Sequence, residues 1–118
     1  MLTKAMSKCN HLEKNGIDKV ATFIAENYDG EFSMEELAGL VHLSPYHFIR
    51  VFKSYTGKTP YQFFLDERIK KAKELLRYNK YSITEVCFLC NFKNTSHFAS
   101  VFKRKVGMLP SAYRKSLL

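Results

Sequence analysis

Two cysteines three positions apart, in the run Cys87-Phe88-Leu89-Cys90, are the first residues whose spacing admits chemistry. Such a pair can ligate a soft metal or cycle through a disulfide. A zinc site needs two more ligands, and no second cysteine pair or well-placed histidine supplies them. The segment also falls inside a helical pattern, so these thiols are expected to pack. His47 and His97 each stand at the third position of a helix, but no acid or nucleophile recurs beside them. That leaves them a structural or phosphate-facing role. No nucleophile–base pair, metal set or phosphate-cradling glycine loop is present, so the expectation is a non-enzyme that requires no cofactor and no metal.

The remaining chemistry is recognition chemistry, and it sits in a repeat. The run SPYHFIRVFKSYTGKTP, from Ser44 to Pro60, recurs fifty positions later as NTSHFASVFKRKVGMLP, from Asn94 to Pro110. Identical residues are His47/His97, Phe48/Phe98, Val51/Val101, Phe52/Phe102, Lys53/Lys103, Gly57/Gly107 and Pro60/Pro110. These are mostly what a helix buries or uses to stop. The four phenylalanines are read as core, because their spacing is that of one helix face. The differing residues, Tyr46, Ile49 and Arg50 against Ser96, Ala99 and Ser100, are expected to face outward. One scaffold carrying two different faces suits a reader of two different surfaces.

The elements that must position these faces follow from capping and periodicity. A helix is expected from Ile17, with Val20, Ala21, Ile24 and Tyr28 on one face and Asp29-Gly30 at its end. Residues 1–15 show no clear period and read as a loosely held lead-in. Ser33 with Glu36 forms a capping box, with Phe32 and Leu37 placed as a hydrophobic staple. The same devices return at Ser82, Glu85, Tyr81 and Val86. Each short helix breaks, at Val41-His42-Leu43 or at Cys90-Asn91-Phe92-Lys93. Ser44, followed by Pro45, and Asn94 then cap the next helix, which Gly57 or Gly107 stops. Between the copies runs a long helix from Thr59-Pro60 to about Tyr78, roughly 28 to 30 Å at 1.5 Å per residue. Its lysines read as a solvated face, with one or two as the alternative candidates for touching DNA, and Arg68 as a packing or ion-pair residue. Pro110 opens a short closing helix.

The expected fold is therefore all-α, with about seven helices and two helix-turn-helix units joined by a long linker helix. The organisation is a leader or linker remnant at 1–15, the first unit at 16–58, the linker helix at 59–79 and the second unit at 80–118. The chain has 118 residues, with 19 Lys and Arg against 11 Asp and Glu, a formal charge of +8. That excess favours an anionic partner. No apolar run approaches the roughly 20 residues that cross a bilayer. The amino terminus lacks a signal-peptide core, and three cysteines do not make a disulfide framework, so a cytoplasmic protein with reduced thiols and no membrane partner is expected. In a helix-turn-helix the second helix enters the major groove. A linker helix near the groove repeat of about 34 Å could set both reading helices in successive grooves of an asymmetric site.

The chain resembles the DNA-binding domain of the AraC/XylS family of bacterial transcription regulators. The resemblance is carried by FKSYTGKTPYQFF (Phe52 to Phe64), by Arg68, Ala72 and Leu75-Leu76, and by FASVFKRKVGMLPSAYR (Phe98 to Arg114). It covers about residues 16 to 115. The sequence departs from the family at Asn91, where glycine is usual, and at Cys87, where alanine is common. Asparagine tolerates the left-handed conformation best after glycine, so the turn is expected to survive.

The resemblance implies sequence-specific binding of double-stranded DNA and control of transcription, often by activation through RNA polymerase. It places base contacts on Tyr46, Ile49, Arg50, Asn94, Thr95, Ser96 and Ser100. Phosphate contacts are expected at Ser44, His47, Lys53, His97, Lys103 and Arg104. Arg50 is the residue best suited to direct readout, since a guanidinium pairs bidentately with guanine. Family members usually carry a sensing or dimerisation domain, so the chain is expected to be either a stand-alone regulator or the carboxy-terminal part of a longer one. A different reading of the same surfaces is a basic helical module that binds a protein partner without reading DNA.

Overall fold

A computed structural model of the chain describes residues 2–26 and 31–118, with side chains from residue 13 onward. Seven helices follow one another, and no strand occurs among the described residues. They are α1 (Leu2–Glu26), α2 (Met34–Leu40), α3 (Pro45–Thr56), α4 (Pro60–Leu76), α5 (Ile83–Leu89), α6 (Thr95–Val106) and α7 (Pro110–Ser116). The expected fold class holds. The chain divides into two units, Met1–Phe64 and Leu65–Leu118, and the division falls within α4.

The amino-terminal helix is longer than its apolar pattern. It begins at Leu2 and not near Ile17, so the lead-in is helical over its described length. Periodicity marks only the part of a helix that buries a face, and among the residues whose side chains are described burial begins at Ile17. The earlier residues include good helix formers such as Leu2, Lys4, Ala5 and Leu12, but they carry no apolar period. Tyr28, Asp29 and Gly30 lie outside the described residues.

In the first unit α1 and α2 both pack on α3. Ile17, Val20 and Ile24 meet a core that includes Leu37, Phe48 and Phe52, all at most 2% exposed. Gly16 marks a close approach, since a Cβ there would come within 3.0 Å of Val41 Cγ1. Phe32, assigned to a staple with Leu37, lies against rings from α4: its centroid is 5.1 Å from Tyr61 and 5.3 Å from Phe64. The start of α4 also carries a reciprocal cap that the sequence reading overlooked. Thr59 N–H donates to Gln62 Oε1 (3.0 Å), and Gln62 N–H donates to Thr59 Oγ1 (3.2 Å).

In the second unit α6 packs on α5 and α7. Val86, Cys87, Phe98 and Phe102 are fully buried, beside Ile69, Ala72 and Leu76 of α4. Leu65 and Arg68 are buried too; the first went unnoticed in the pattern, and the second agrees with a packing role. α4 ends at Leu76, two residues early, because Arg77 and Tyr78 N–H bond to the carbonyls of Glu74 and Leu75 (3.3 and 3.2 Å) and tighten the last turn. Its length is thus about 25 Å at 1.5 Å per residue. Arg114 finishes that end: Nε donates to Leu76 O (3.0 Å) and Nη2 to Tyr78 O (2.9 Å). A helix leaves its last carbonyls without partners, and this guanidinium supplies two donors there. Beside it, Tyr113 packs edge-on against Phe102 with centroids 5.5 Å apart.

The capping box at the start of α5 is complete. Ser82 N–H donates to Glu85 Oε1 (2.8 Å), and Glu85 N–H donates to Ser82 Oγ (3.0 Å). The bond from the Ser82 backbone, with the Ser82 side chain second, holds the Glu85 carboxyl below its ordinary range. A depressed carboxylate stabilises the fold above its unfolded value, roughly pH 4.3, and the effect disappears as pH falls through the lower folded value. Glu85→Gln is therefore expected to lower the melting temperature at neutral pH, with the gap to the parent closing as the solution is acidified through that window. A gap that stays constant with pH would show that the charge of Glu85 contributes nothing to the cap.

Candidate nucleic-acid interface

Each unit contains the same three-part device: a short helix, a left-handed turn and a second helix with an exposed face. In the first, Leu43 N–H bonds Ala38 O (3.1 Å) and His42 N–H bonds Gly39 O (3.2 Å), with His42 at φ 57°. In the second, Phe92 N–H bonds Cys87 O (3.1 Å) and Asn91 N–H bonds Phe88 O (3.0 Å), with Asn91 at φ 64°. Both are Schellman turns, in which paired bonds satisfy the last carbonyls of the helix and one residue goes left-handed. The expectation for Asn91 holds. His42 takes the same conformation, which no glycine or asparagine in the sequence announced.

The next helix begins at once. Ser44 Oγ accepts from His47 N–H (3.2 Å) and Asn94 Oδ1 accepts from His97 N–H (2.7 Å). Gly57 (φ 79°) and Gly107 (φ 97°) end α3 and α6 in the left-handed region. The inner faces are Phe48, Val51 and Phe52 in α3 and Phe98, Val101 and Phe102 in α6, all buried. At 100° per residue, burial of these positions turns 46, 49, 50 and 53, and likewise 96, 99, 100 and 103, to the opposite side.

On α3 the outward group is cohesive. Tyr46 is 71% exposed, and the Arg50 guanidinium carbon lies 5.9 Å from its ring centroid. Ile49 beside them is half-buried, and Lys53 is exposed toward the carboxy-terminal end. On α6, Asn94, Thr95, Ser96 and Ser100 are exposed, with Lys103 and Arg104 exposed further along. The second face is thus flatter and shorter in reach than the first.

The two histidines are held from within their own units. His47 Nε2 lies 3.0 Å from Glu13 Oε2 of α1, a contact that joins α1 to the third position of the reading helix. His97 stacks edge-on against Phe92 with centroids 5.5 Å apart. Glu13 belongs to a segment without apolar period, so nothing in the sequence pointed to it. Cys87 and Cys90 are buried free thiols, and burial raises both, Cys90 to about 11. A thiol held so far up forms little thiolate, the reactive form, at neutral pH. Cys87 instead closes the turn, its Sγ 4.0 Å from Phe92 O.

Two helix-turn-helix units, each with a serine at the start of its first helix and each turning a polar face outward, define a tandem helix-turn-helix domain. A family model described as a helix-turn-helix domain matches residues 37–116. The DNA-binding domain of AdpA, a global transcriptional factor solved in complex with a target DNA, has a TM-score of 0.79 and is 32% identical, over 85% of this chain and 90% of that one. The MmsAB operon regulatory protein of Pseudomonas aeruginosa is 31% identical over 99 residues, 84% of this chain and 32% of its own. The HTH-type transcriptional activator RhaS of an Enterobacter species is 28% identical over 117 residues, 98% of this chain and 42% of its own. The chain belongs to the AraC/XylS family of transcription regulators. It spans about a third to a half of the length of the curated relatives it matches.

The left-handed turn gives a direct test. A non-glycine residue at positive φ costs about 1–2 kcal/mol, less for asparagine. Asn91→Ala is expected to destabilise the chain by about 1 kcal/mol in urea unfolding, and Asn91→Gly to be neutral or stabilising. If alanine were tolerated and glycine destabilised, the conformation of this turn would be other than described.

Proposed function

We propose that this domain binds double-stranded DNA sequence-specifically and controls transcription as an activator in the cytoplasm, with no reaction of its own. The observation that carries this reading is the contrast between two outward faces on matching scaffolds: Tyr46, Ile49 and Arg50 on α3, and Thr95, Ser96 and Ser100 on α6. The helix-turn-helix class and the formal charge of +8 support it. Among the described residues no helix is long and apolar enough to cross a membrane.

In this reading α3 and α6 enter successive major grooves, and the unlike faces make the preferred site asymmetric. Arg50 pairs with a guanine edge, and its position against Tyr46 restrains the guanidinium before binding. Tyr46 and Ile49 pack on thymine methyl groups. Asn94, Thr95, Ser96 and Ser100 make shorter and less selective contacts, with the Asn94 oxygen shared with its cap. Ser44, Lys53, Lys103 and Arg104 hold phosphates. His47 and His97 lie at the phosphate-facing edge, His47 through a ring already bonded to Glu13. RNA polymerase is the expected protein partner, and a sensing or dimerisation domain would complete a longer regulator.

Fluorescence-anisotropy titration of selected duplexes tests this. Arg50→Ala is expected to weaken the preferred site by about 1–3 kcal/mol and to relax selectivity at one base position. Lys53→Ala is expected to weaken all duplexes alike and to reduce the salt slope by about one unit. Equal binding of every duplex by the parent at every salt concentration would overturn sequence-specific reading. Exchange of the two variants' effects would mean that α3 is rotated about its axis relative to this assignment.

A further inference from the structure

The second unit has a concave surface apart from the outward face of α6. It is a groove of about 380 Å³ along α4, closed by the end of α6 and by α7. Ile69, Val106 and Tyr113 give it an apolar floor, and Lys70, Lys73, Arg77 and Lys105 stand around it with Asp66 and Glu74. Lys70, Lys73 and Arg77 follow at intervals of three and four, which places three cations on one stripe. Like charges at that spacing repel, and Glu74, four residues after Lys70 and three before Arg77, offsets part of that repulsion. Two of the groove's cations have defined positions: Lys105 is paired with Asp66, and the Lys73 ammonium lies 5.8 Å from the centroid of the Tyr113 ring.

The direction of the groove separates it from the reading face. Lys105 follows Phe98 and Phe102 at seven and three residues, so it continues the inner stripe of α6. Ser96, Ser100 and Lys103 lie on the other side of that helix. The groove is therefore directed away from the surface assigned to bases and phosphates. Its excess of cations fits an anion, and its apolar floor fits a side chain that nucleic acid does not carry.

We propose that this groove docks a short acidic segment of a protein partner, seating one apolar side chain on Ile69, Val106 and Tyr113. The carboxylates flanking that side chain meet Lys70, Lys73 and Arg77, the cations in excess over Glu74 on that stripe. The proposal does not depend on which bases α3 and α6 read.

The test uses the full chain and a fluorescein-labelled synthetic peptide in which Asp and Glu flank a single Leu. Saturable binding is expected, weakened about tenfold or more in Lys73→Gln/Arg77→Gln, which removes two charge-assisted contacts. Both side chains are exposed, and an unchanged circular dichroism spectrum and melting curve establish that the variant is folded. At physiological salt, where charges are screened beyond about 8 Å, the variant should keep the parent's affinity for duplex DNA. A peptide displaced by duplex, or a variant that loses duplex and peptide in parallel, would assign the groove to phosphates and overturn the proposal. Absence of saturable peptide binding, or equal binding by parent and variant, would overturn it as well.

Discussion

Phe48 and Phe52 are both fully buried and touch edge to face at 5.6 Å; Phe98 and Phe102 repeat the arrangement at 5.8 Å. Two large rings one turn apart lock a helix against rotation about its axis. Turning α3 by a quarter would expose one ring and drive Ile49 or Arg50 into the core. Burying each ring is worth roughly 1.5–3 kcal/mol relative to leaving it in water, so such a turn carries a heavy cost. What faces outward is thus decided by what faces inward. The outward residues are left free to differ between the copies, and they do.

The other shared features serve the same end at the helix termini. The Schellman turns at His42 and Asn91 bring the chain around within two residues, and Ser44 and Asn94 cap the next helix. The extra residue Lys93 lengthens the second connection without disturbing either device. The left-handed glycines at 57 and 107 release the chain toward Pro60 and Pro110, which open α4 and α7. Arg114 then secures the end of α4 through two carbonyls. In these terms the recurring Phe-Lys, Gly and Pro, with the closing Tyr113-Arg114, are a set of rotational, terminating and capping requirements. The selectivity of the domain has to lie in positions that pattern leaves open.

Much of this was legible in the sequence because the signals are local. The caps at Ser33, Ser44, Ser82 and Asn94, the stops at Gly57 and Gly107, and the buried stripe of each reading helix depend on near neighbours. The start of α1 was not legible, since the residues before Ile17 show no apolar period. His42 was missed for a different reason: histidine at positive φ is selected by the turn around it, not by its own preference. The contacts of Glu13 with His47 and of Arg114 with α4 join residues 34 and 38 positions apart, a separation that no helical period reports. Comparison of the two copies separates scaffold from surface in a single chain and marks Tyr46, Ile49, Arg50, Ser96, Ala99 and Ser100, whereas Asn94 and Thr95 enter only through the family resemblance. Their roles toward individual bases came from family resemblance and side-chain chemistry.

In the proposed function one scaffold carries two readers whose difference lies in a few outward residues. Exchanging those residues between copies tests it most directly: Tyr46→Ser, Ile49→Ala and Arg50→Ser together with Ser96→Tyr, Ala99→Ile and Ser100→Arg. The preferred duplex of parent and exchanged chain would each be selected from a randomised pool and sequenced. The account predicts that the exchanged chain folds and selects a site in which the sharply defined half and the loosely defined half have changed places. Selection of the parent's site by the exchanged chain would contradict it and would place the reading elsewhere on the protein.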